Sequence, residues 1–198
     1  TTYSYNTTDN RLDPSAGTDL NASWEFAGIG GTEHYSKYIL NVRHFWPFVW
    51  GTVLSARGQF GYVHDWQNNE DVPIDERFYL GGISTIRGFE NREVGPRDEF
   101  GDFIGGETEA FFNFEFIFPL YEELKIKGVT FFDVGNAWSS DDYWDEDDQV
   151  FGSWRYSAGA GIRWLSPLGP MRFEYGYNLD ARDYESDSKF DFMIGRFF

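Results

Sequence analysis

The chain of 198 residues contains no cysteine, so neither a disulfide framework nor a thiolate metal site can form. It has no run of about 18 apolar residues, which excludes a transmembrane helix. Neither a phosphate-binding loop nor the glycine pattern of dinucleotide-binding proteins occurs, so no cofactor is expected. The chain begins at Thr1 without a basic segment followed by an apolar core. We therefore expect a mature fragment of a longer protein, without a signal peptide.

Basic residues are also scarce, with 16 Lys and Arg against 33 Asp and Glu and a net charge of −17. Nucleic-acid phosphates require a basic face, so no nucleic-acid partner is predicted. Acidic runs at 141–148 and 180–187 are predicted to be solvated loop tips. Divalent cations that bridge lipid phosphates are a weaker alternative there. The calcium-loop pattern lacks its glycine in register, so no metal site is expected.

Aromatic residues are abundant, at 21% of the chain, and they alternate with polar ones. Between 107 and 118, one face of the predicted strand is polar and the other carries Ala110, Phe112, Phe114, Phe116 and Phe118. This period of two is typical of a strand with one apolar and one wet face. Repeated along a chain, it indicates a membrane-spanning β-barrel, whose strands need only about 9–11 residues.

The pattern predicts an all-β fold, an antiparallel transmembrane β-barrel of about eight full strands in a single domain (residues 1–198), preceded by a partial strand. The full strands are predicted at 18–27, 35–46, 50–63, 107–120, 125–138, 153–165, 171–179 and 189–198. A long extracellular loop (65–106) lies between the third and fourth of them. Short turns are predicted at the rim opposite this loop, near Asn10, Pro47, Tyr121 and Pro167. Because short turns of outer-membrane barrels are periplasmic, that rim and the C-terminus are expected on the periplasmic side.

A soluble antiparallel sandwich or a lipocalin-like barrel would show the same periodicity, with the large side chains packed inward. Trp46, Trp50 and Trp164 fall near strand ends at one rim, as in an interfacial aromatic girdle. The polar faces carry charges of both signs, namely Glu115, Arg155, Arg163, Arg172 and Glu174. Both features favour outward apolar faces in lipid and a charged interior.

The loop sequence FYLGGISTIRGFE resembles the conserved loop of the BamA-type outer-membrane insertases, whose hallmark is the tetrad [V/I]-R-G-F. GGETEAFFNFEFIFPL, FFDVGNAW, GAGIRWLSPLGPMRFEYG and FDFMIGRFF also match in order and spacing, so the resemblance covers nearly the whole chain. It implies the C-terminal half of a sixteen-stranded parent barrel, without the periplasmic repeats and the N-terminal barrel strands. Such a fragment is expected either to close by itself, leaving little room for the loop inside, or to pair its edges with another copy.

The resemblance implies that the functional loop motif is Ile86, Arg87, Gly88 and Phe89. Arg87 would reach into the barrel to two acids on the following strands, which match Glu115 and Asp133. Parity independently places Glu115 on the polar face of its strand and Asp133 on the face of Lys125 and Lys127. A guanidinium can bridge two carboxylates, whereas an ordinary loop arginine would be exposed.

The final strand resembles the C-terminal insertion signal of outer-membrane barrels, at Phe190, Phe192, Ile194, Gly195 and Phe198. The implied function is non-enzymatic assembly of β-barrel proteins into the bacterial outer membrane by strand templating and local membrane perturbation. The fragment alone is expected to be inactive. Implied partners are client β-barrel proteins, lipids and lipopolysaccharide, and assembly lipoproteins that bind the absent repeats.

Two alternatives remain open. One is a secretion pore of the same superfamily, of the two-partner or the translocation and assembly module type. The other is a small outer-membrane barrel enzyme, which needs a nucleophile with an ordered histidine, His34, His44 or His64, although no G-x-S-x-G elbow accompanies them.

Overall fold

The computed structural model describes residues 1–28, 34–67, 72–139, 153–182 and 184–195. Segments in which apolar and polar side chains alternate form the predicted strands, since that pattern suits a pleated sheet with two different faces. The strands are β1 Thr2–Asn6, β2 Gly17–Phe26, β3 Tyr35–Pro47, β4 Val53–Asp65, β5 Thr108–Tyr121, β6 Ile126–Trp138, β7 Arg155–Ser166, β8 Gly169–Asn178 and β9 Ser188–Ile194. Eight strands of 7 to 14 residues, preceded by one of 5 residues, therefore confirm the strand count expected from the sequence.

All nine strands form one antiparallel sheet in which spatial order equals chain order. Within the described strands, β1 pairs with β2 alone and β9 with β8 alone. The closed form expected as one alternative is therefore not what the described strands adopt. Across the described ranges, no helix has the length and apolar character needed to cross a membrane.

One face of the sheet, here called the outer face, carries the exposed apolar side chains. Phe114 of β5 is 49% exposed, whereas its neighbour Phe111 on the opposite face is 0% exposed. The same outward exposure is found for Trp24, Tyr38, Leu54, Phe60, Phe132, Ile162, Tyr175 and Phe192. A soluble sandwich would bury such rows, so their exposure agrees with an outer face in contact with lipid.

The described part of the long loop (residues 66–67 and 72–107) packs against the other face, here called the inner face. Within residues 72–107, regular structure is limited to a 3₁₀ turn at Ile74–Glu76 and isolated bridges that pair Phe78 with Gly106, Leu80 with Val94 and Arg97 with Phe103. Leu80, Ile86, Phe89 and Val94 of the loop pack with Phe111 and Ala137 of the sheet in one buried apolar cluster. The loop is thus a packed layer on the inner face rather than an exposed tether.

Strand boundaries differ from the sequence-based expectation in a few places. Residues 49–51 form a 3₁₀ turn, so β4 begins at Val53 rather than Trp50. Lys125 has a positive φ of 53° in the turn that precedes β6, and it therefore does not share the strand face of Asp133. Both differences arise where turn geometry overrides the alternating pattern.

Candidate functional site

Arg87 of the long loop lies on the inner face, where carboxylates from three strands surround its guanidinium. Its Nε donates to Asp133 Oδ2 at 2.7 Å and its Nη2 to Asp133 Oδ1 at 2.6 Å. Its Nη1 donates to Glu115 Oε1 at 2.7 Å and to Glu174 Oε2 at 3.0 Å. The backbone amide of Arg87 also donates to Asp133, at 3.0 Å. The two-point contact with Asp133 fixes the plane of the guanidinium.

Two further arginines share the same carboxylates. Arg163 of β7 donates to Glu115, with Nη2 to Oε1 at 2.6 Å, and to Glu174, with Nε to Oε1 at 3.0 Å. Arg172 of β8 donates through Nη2 to Glu174 Oε2 at 2.6 Å. Arg87, Arg163, Arg172, Glu115, Asp133 and Glu174, here called the charge cluster, therefore balance three positive with three negative charges.

The charge cluster is almost completely removed from solvent. Asp133 is 0% exposed and Arg163 is 1% exposed. Phe131 covers one face of the Arg87 guanidinium, with 3.6 Å between Cζ and the ring centroid. Buried charges carry a large desolvation cost, which is offset only when partners and geometry are complete. The cluster consequently specifies one position for the loop, because any displacement leaves charges unpaired.

The sheet also contacts the loop backbone just before Arg87. Three successive carbonyls accept hydrogen bonds from inner-face side chains: Ile83 O from Arg172 at 3.3 Å, Ser84 O from Arg57 at 2.8 Å and Thr85 O from Asn113 at 2.6 Å. Asn113 additionally donates to Asp133 Oδ1 at 2.9 Å. Segment 83–87 is thereby held along its length and not only at one side chain.

The other residues of the tetrad complete the docking. Ile86 and Phe89 belong to the buried apolar cluster beneath the loop. Gly88 has φ +88° and lies against the backbone of β8, where a β-carbon would be 3.1 Å from the carbonyl carbon of Gly176. The positive φ and the close approach both favour glycine at this position.

The two acids singled out from the sequence, Glu115 and Asp133, are both bonded to Arg87. The third carboxylate, Glu174, had been placed on the polar face by parity but not connected to the loop. Arg163 and Arg172 had likewise been assigned only to the interior. Alternation along the strands was the available signal for all three residues. It does not indicate how close β8 lies to the loop.

At one end of the strands, Arg155 of β7 gathers acids from the connection between β8 and β9. Its Nε donates to Asp180 Oδ2 at 2.6 Å, and its Nη1 donates to Glu185 Oε1 at 2.8 Å. Its Nη2 also donates to Glu185 Oε2. The expectation that this acidic run is a solvated tip is therefore wrong for Glu185, whose side chain is 5% exposed, whereas Asp180 is bound to Arg155 and still 32% exposed. The acidic run at 141–148 lies outside the described residues, and so does Asp183.

The protonation of Glu185 reflects this contact. Burial by itself raises the pKa of Glu185, but hydrogen bonds from Arg155 and from the Arg182 amide outweigh it, and the pKa lies below its ordinary value of 4.5. Glu185 is therefore a carboxylate acceptor at neutral pH.

The proposed C-terminal signal residues lie on β9 and just after it. Phe190, Phe192 and Ile194 point to the outer face and are exposed. Gly195 has φ +117°, and its amide donates to Pro170 O at 2.9 Å. Phe198 lies outside the described residues.

The three histidines lie away from the charge cluster, in contact with aromatic rings. His64 stacks between Tyr38 and Tyr62, with centroid distances of 6.2 and 5.3 Å. His34 meets Trp66 edge to face, and His44 lies 4.3 Å from the Trp46 ring. Such rows are typical of aromatic side chains near strand ends in barrels.

Comparison with known proteins gave consistent matches. A family model described as the Omp85 superfamily domain matches residues 1–198. The chain is 38% identical over 201 residues to the outer membrane protein assembly factor BamA of Nitratidesulfovibrio vulgaris, covering 99% of this chain and 25% of that protein. It is 30% identical over 219 residues to the protein of the same name from Neisseria meningitidis serogroup B, covering 98% and 28%.

More distant matches extend the comparison. A SAM50-like protein of Schizosaccharomyces pombe is 29% identical over 126 residues, covering 60% of this chain and 26% of that protein. The crystal structure of BamA from Haemophilus ducreyi lacking POTRA domains 1–3 superposes with a TM-score of 0.84 at 23% identity, covering 96% of this chain and 40% of that one. This structural likeness supports the barrel-type fold. The chain spans about a quarter of the length of the bacterial relatives that it matches.

Proposed function

Because this chain belongs to the Omp85 superfamily, we propose that it forms the barrel portion of a factor that assembles β-barrel proteins into a bacterial outer membrane. The observation that carries the proposal is the charge cluster, in which Arg87 of the Ile86–Phe89 tetrad is bonded to both expected acids, Glu115 and Asp133. The two bacterial relatives named above are both assembly factors, which favours assembly over the secretion pore.

The outer face supports a location in the outer membrane. Its exposed aromatic and aliphatic rows would be costly in water and are stable against lipid chains. We place the rim with the short connections, including the one between Ser166 and Gly169, on the periplasmic side. The long loop and the start of β9 then lie on one side of the bilayer, and β9 ends on the other.

The assembly step requires no catalytic residue or cofactor. A client strand would pair with an exposed strand edge, with main-chain hydrogen bonds providing the attraction. β9 offers such an edge in the described part of the chain, where it pairs with β8 alone. Local perturbation of the bilayer beside that edge would ease entry of the client. Partners are then client β-barrel proteins and outer-membrane lipids, including lipopolysaccharide, together with assembly lipoproteins bound by other parts of the full-length protein.

The roles of the site residues follow from this scheme. Arg87, with Glu115 and Asp133, keeps the long loop seated on the inner face while the edge exchanges partners. Phe190, Phe192 and Ile194 serve as the outward-facing part of the C-terminal signal by which the barrel itself is inserted.

A chimaera tests the function directly. The matching segment of the Nitratidesulfovibrio vulgaris relative is replaced by this chain, and folding of a β-barrel client is followed in reconstituted vesicles by its heat-modifiable gel mobility. We expect client folding well above that of empty vesicles, and a near-complete loss in the same chimaera with Arg87→Ala. A correctly inserted chimaera that folds no client would contradict the proposal.

A further inference from the structure

The long loop touches the sheet at a second place, the terminal hairpin, which comprises β8, β9 and the connection 179–187. Glu90 follows the tetrad directly, and its Oε2 lies 2.8 Å from the Nζ of Lys189 on β9. Lys189 is the register partner of Gly176, against which Gly88 lies. The close approach of two glycines therefore brings Glu90 within reach of the last described strand.

The second contact is indirect and runs from Phe89 through Arg155 of β7. The Phe89 ring lies 4.9 Å from the Arg155 guanidinium, which is hydrogen-bonded to Asp180 and Glu185 of the connection. The connection also closes on itself, since the Asn178 amide donates to Asp187 O at 2.8 Å. The tetrad's aromatic ring thereby supports the arginine that gathers the connection.

Arg97, further along the loop, makes the third contact. Its guanidinium stacks on Phe103 of the loop at 4.0 Å and on Tyr184 of the connection at 3.7 Å. Within the nine residues 89–97, Glu90 and Arg97 thus contact the hairpin directly, by an ion pair and by cation–π stacking, and Phe89 supports it through Arg155.

This hairpin depends on such support more than the other strands. β9 has 7 residues, whereas β5 has 14, and in the described residues β9 is hydrogen-bonded on one side only. A short edge strand with one partner is among the first elements to open. Contacts from the loop therefore add to a small set of bonds that keep β9 in place.

We propose that the long loop acts as a strap that holds β9 against β8, so that loosening of the loop at residues 89–97 frees the edge strand to change its hydrogen-bonding partner. The inference rests on the proposed function only in its consequence for clients, because the strap itself is a property of the fold. It differs from the docking of Arg87, which fixes the loop to β5, β6 and β8.

Hydrogen exchange in a mutant cycle tests the strap in the full-length protein in detergent. Glu90→Gln and Lys189→Gln are each expected to speed exchange of the β9 amides several-fold. Because Lys189 also pairs with Asp191 at 3.5 Å, the double variant is expected to be no faster than Lys189→Gln alone. Tyr184→Leu, which removes the stacking partner of Arg97, is expected to act in the same direction through a separate contact. Unchanged β9 exchange in all of these variants would overturn the strap.

A matched control lies at the other end of the loop. Lys37 of β3 and Glu76 form an ion pair at 3.2 Å, in which the lysine is about as exposed as Lys189 and the acid is less exposed than Glu90. Glu76→Gln removes a loop contact of the same kind without touching the hairpin, so β9 exchange is expected to stay at the wild-type rate. Faster β9 exchange in this control would show general loosening and would also overturn the strap.

A cross-link separates the strap from the proposed function. The chain has no cysteine, so Glu90→Cys with Lys189→Cys creates one pair that a short bis-maleimide can join. Slowed β9 exchange with blocked client folding supports both proposals. Slowed exchange with undiminished client folding supports the strap and removes the edge of β9 from the assembly mechanism.

Discussion

Gly88 of the long loop and Gly176 of β8 lie backbone against backbone. A β-carbon on Gly176 would be 2.7 Å from the Cα of Gly88 and 2.9 Å from the carbonyl carbon of Arg87. Both distances are shorter than van der Waals contact between carbons, so neither position tolerates a side chain without moving the loop. This contact sets the depth at which Arg87 enters the charge cluster.

Gly176→Ala is therefore expected to lift the loop by the width of a methyl group. Overpacking of this kind costs about 1–3 kcal/mol in the free energy of unfolding, and here it also lengthens the bonds of Arg87. Limited proteolysis within 72–106 should become faster. Gly58→Ala on the outer face is the control, since its β-carbon would meet only the Phe112 ring, at 3.1 Å, and a side chain can turn away. Equal protease resistance in both variants would contradict this account.

Asp133→Ala should be among the most damaging single changes at the site. It removes three hydrogen bonds to Arg87 and leaves a buried guanidinium with too few partners. Breaking a buried pair in this way costs about 3–5 kcal/mol, measurable by urea unfolding in detergent micelles. Glu76→Gln, at a partly exposed pair, should cost about 0–1 kcal/mol. Similar costs for the two variants would argue against the buried cluster as the main anchor of the loop.

Arg87→Lys tests whether geometry or charge is needed. Lysine keeps the positive charge, but one ammonium cannot reproduce the four guanidinium bonds to three carboxylates. We expect client folding by the full-length protein to fall nearly as far as in Arg87→Ala. Insertion into the membrane should be retained in both variants, and it is checked by heat-modifiable mobility of the protein itself. Wild-type client folding with lysine would show that charge alone suffices.

Acidification should weaken the connection between β8 and β9. The pKa of Glu185 lies below its ordinary value of 4.5, so the stabilisation is complete above that value and is lost as the pH falls through the folded-state pKa. The groups that face Glu185 are Arg155, the amide of Arg182 and Asn178. Glu185→Gln should lower the midpoint of thermal unfolding more at pH 6 than at pH 3. An equal shift at both values would assign the effect to packing instead of charge.

The alternating pattern was sufficient to predict the strands because each side chain's face depends only on its parity. Parity also placed Glu115, Asp133 and Glu174 on the inner face. It could not indicate that Glu174 reaches Arg87, because the two residues are 87 positions apart and meet only through the path of the loop. Nor could it indicate Gly176, whose importance depends on the backbone that lies above it.

The acidic run at 180–187 shows a different limit. Composition favours solvated tips for such runs, yet Asp180 and Glu185 bind Arg155 because a neighbouring strand ends at the same rim. A single sequence does not show which strand ends lie side by side. Charge pairs between a connection and a neighbouring strand are therefore visible only in three dimensions.

The identity of spatial and chain order in the sheet bears on how the molecule forms. Every strand pairs with its predecessor in the sequence, so each hairpin can close over a short length of chain, and loop-closure entropy is small at every step except across the long loop. The charge cluster that binds Arg87, in contrast, is incomplete until β5, β6, β7 and β8 have all joined the sheet. We therefore expect the hairpins to form first and the docking of the Arg87 guanidinium to be the last step.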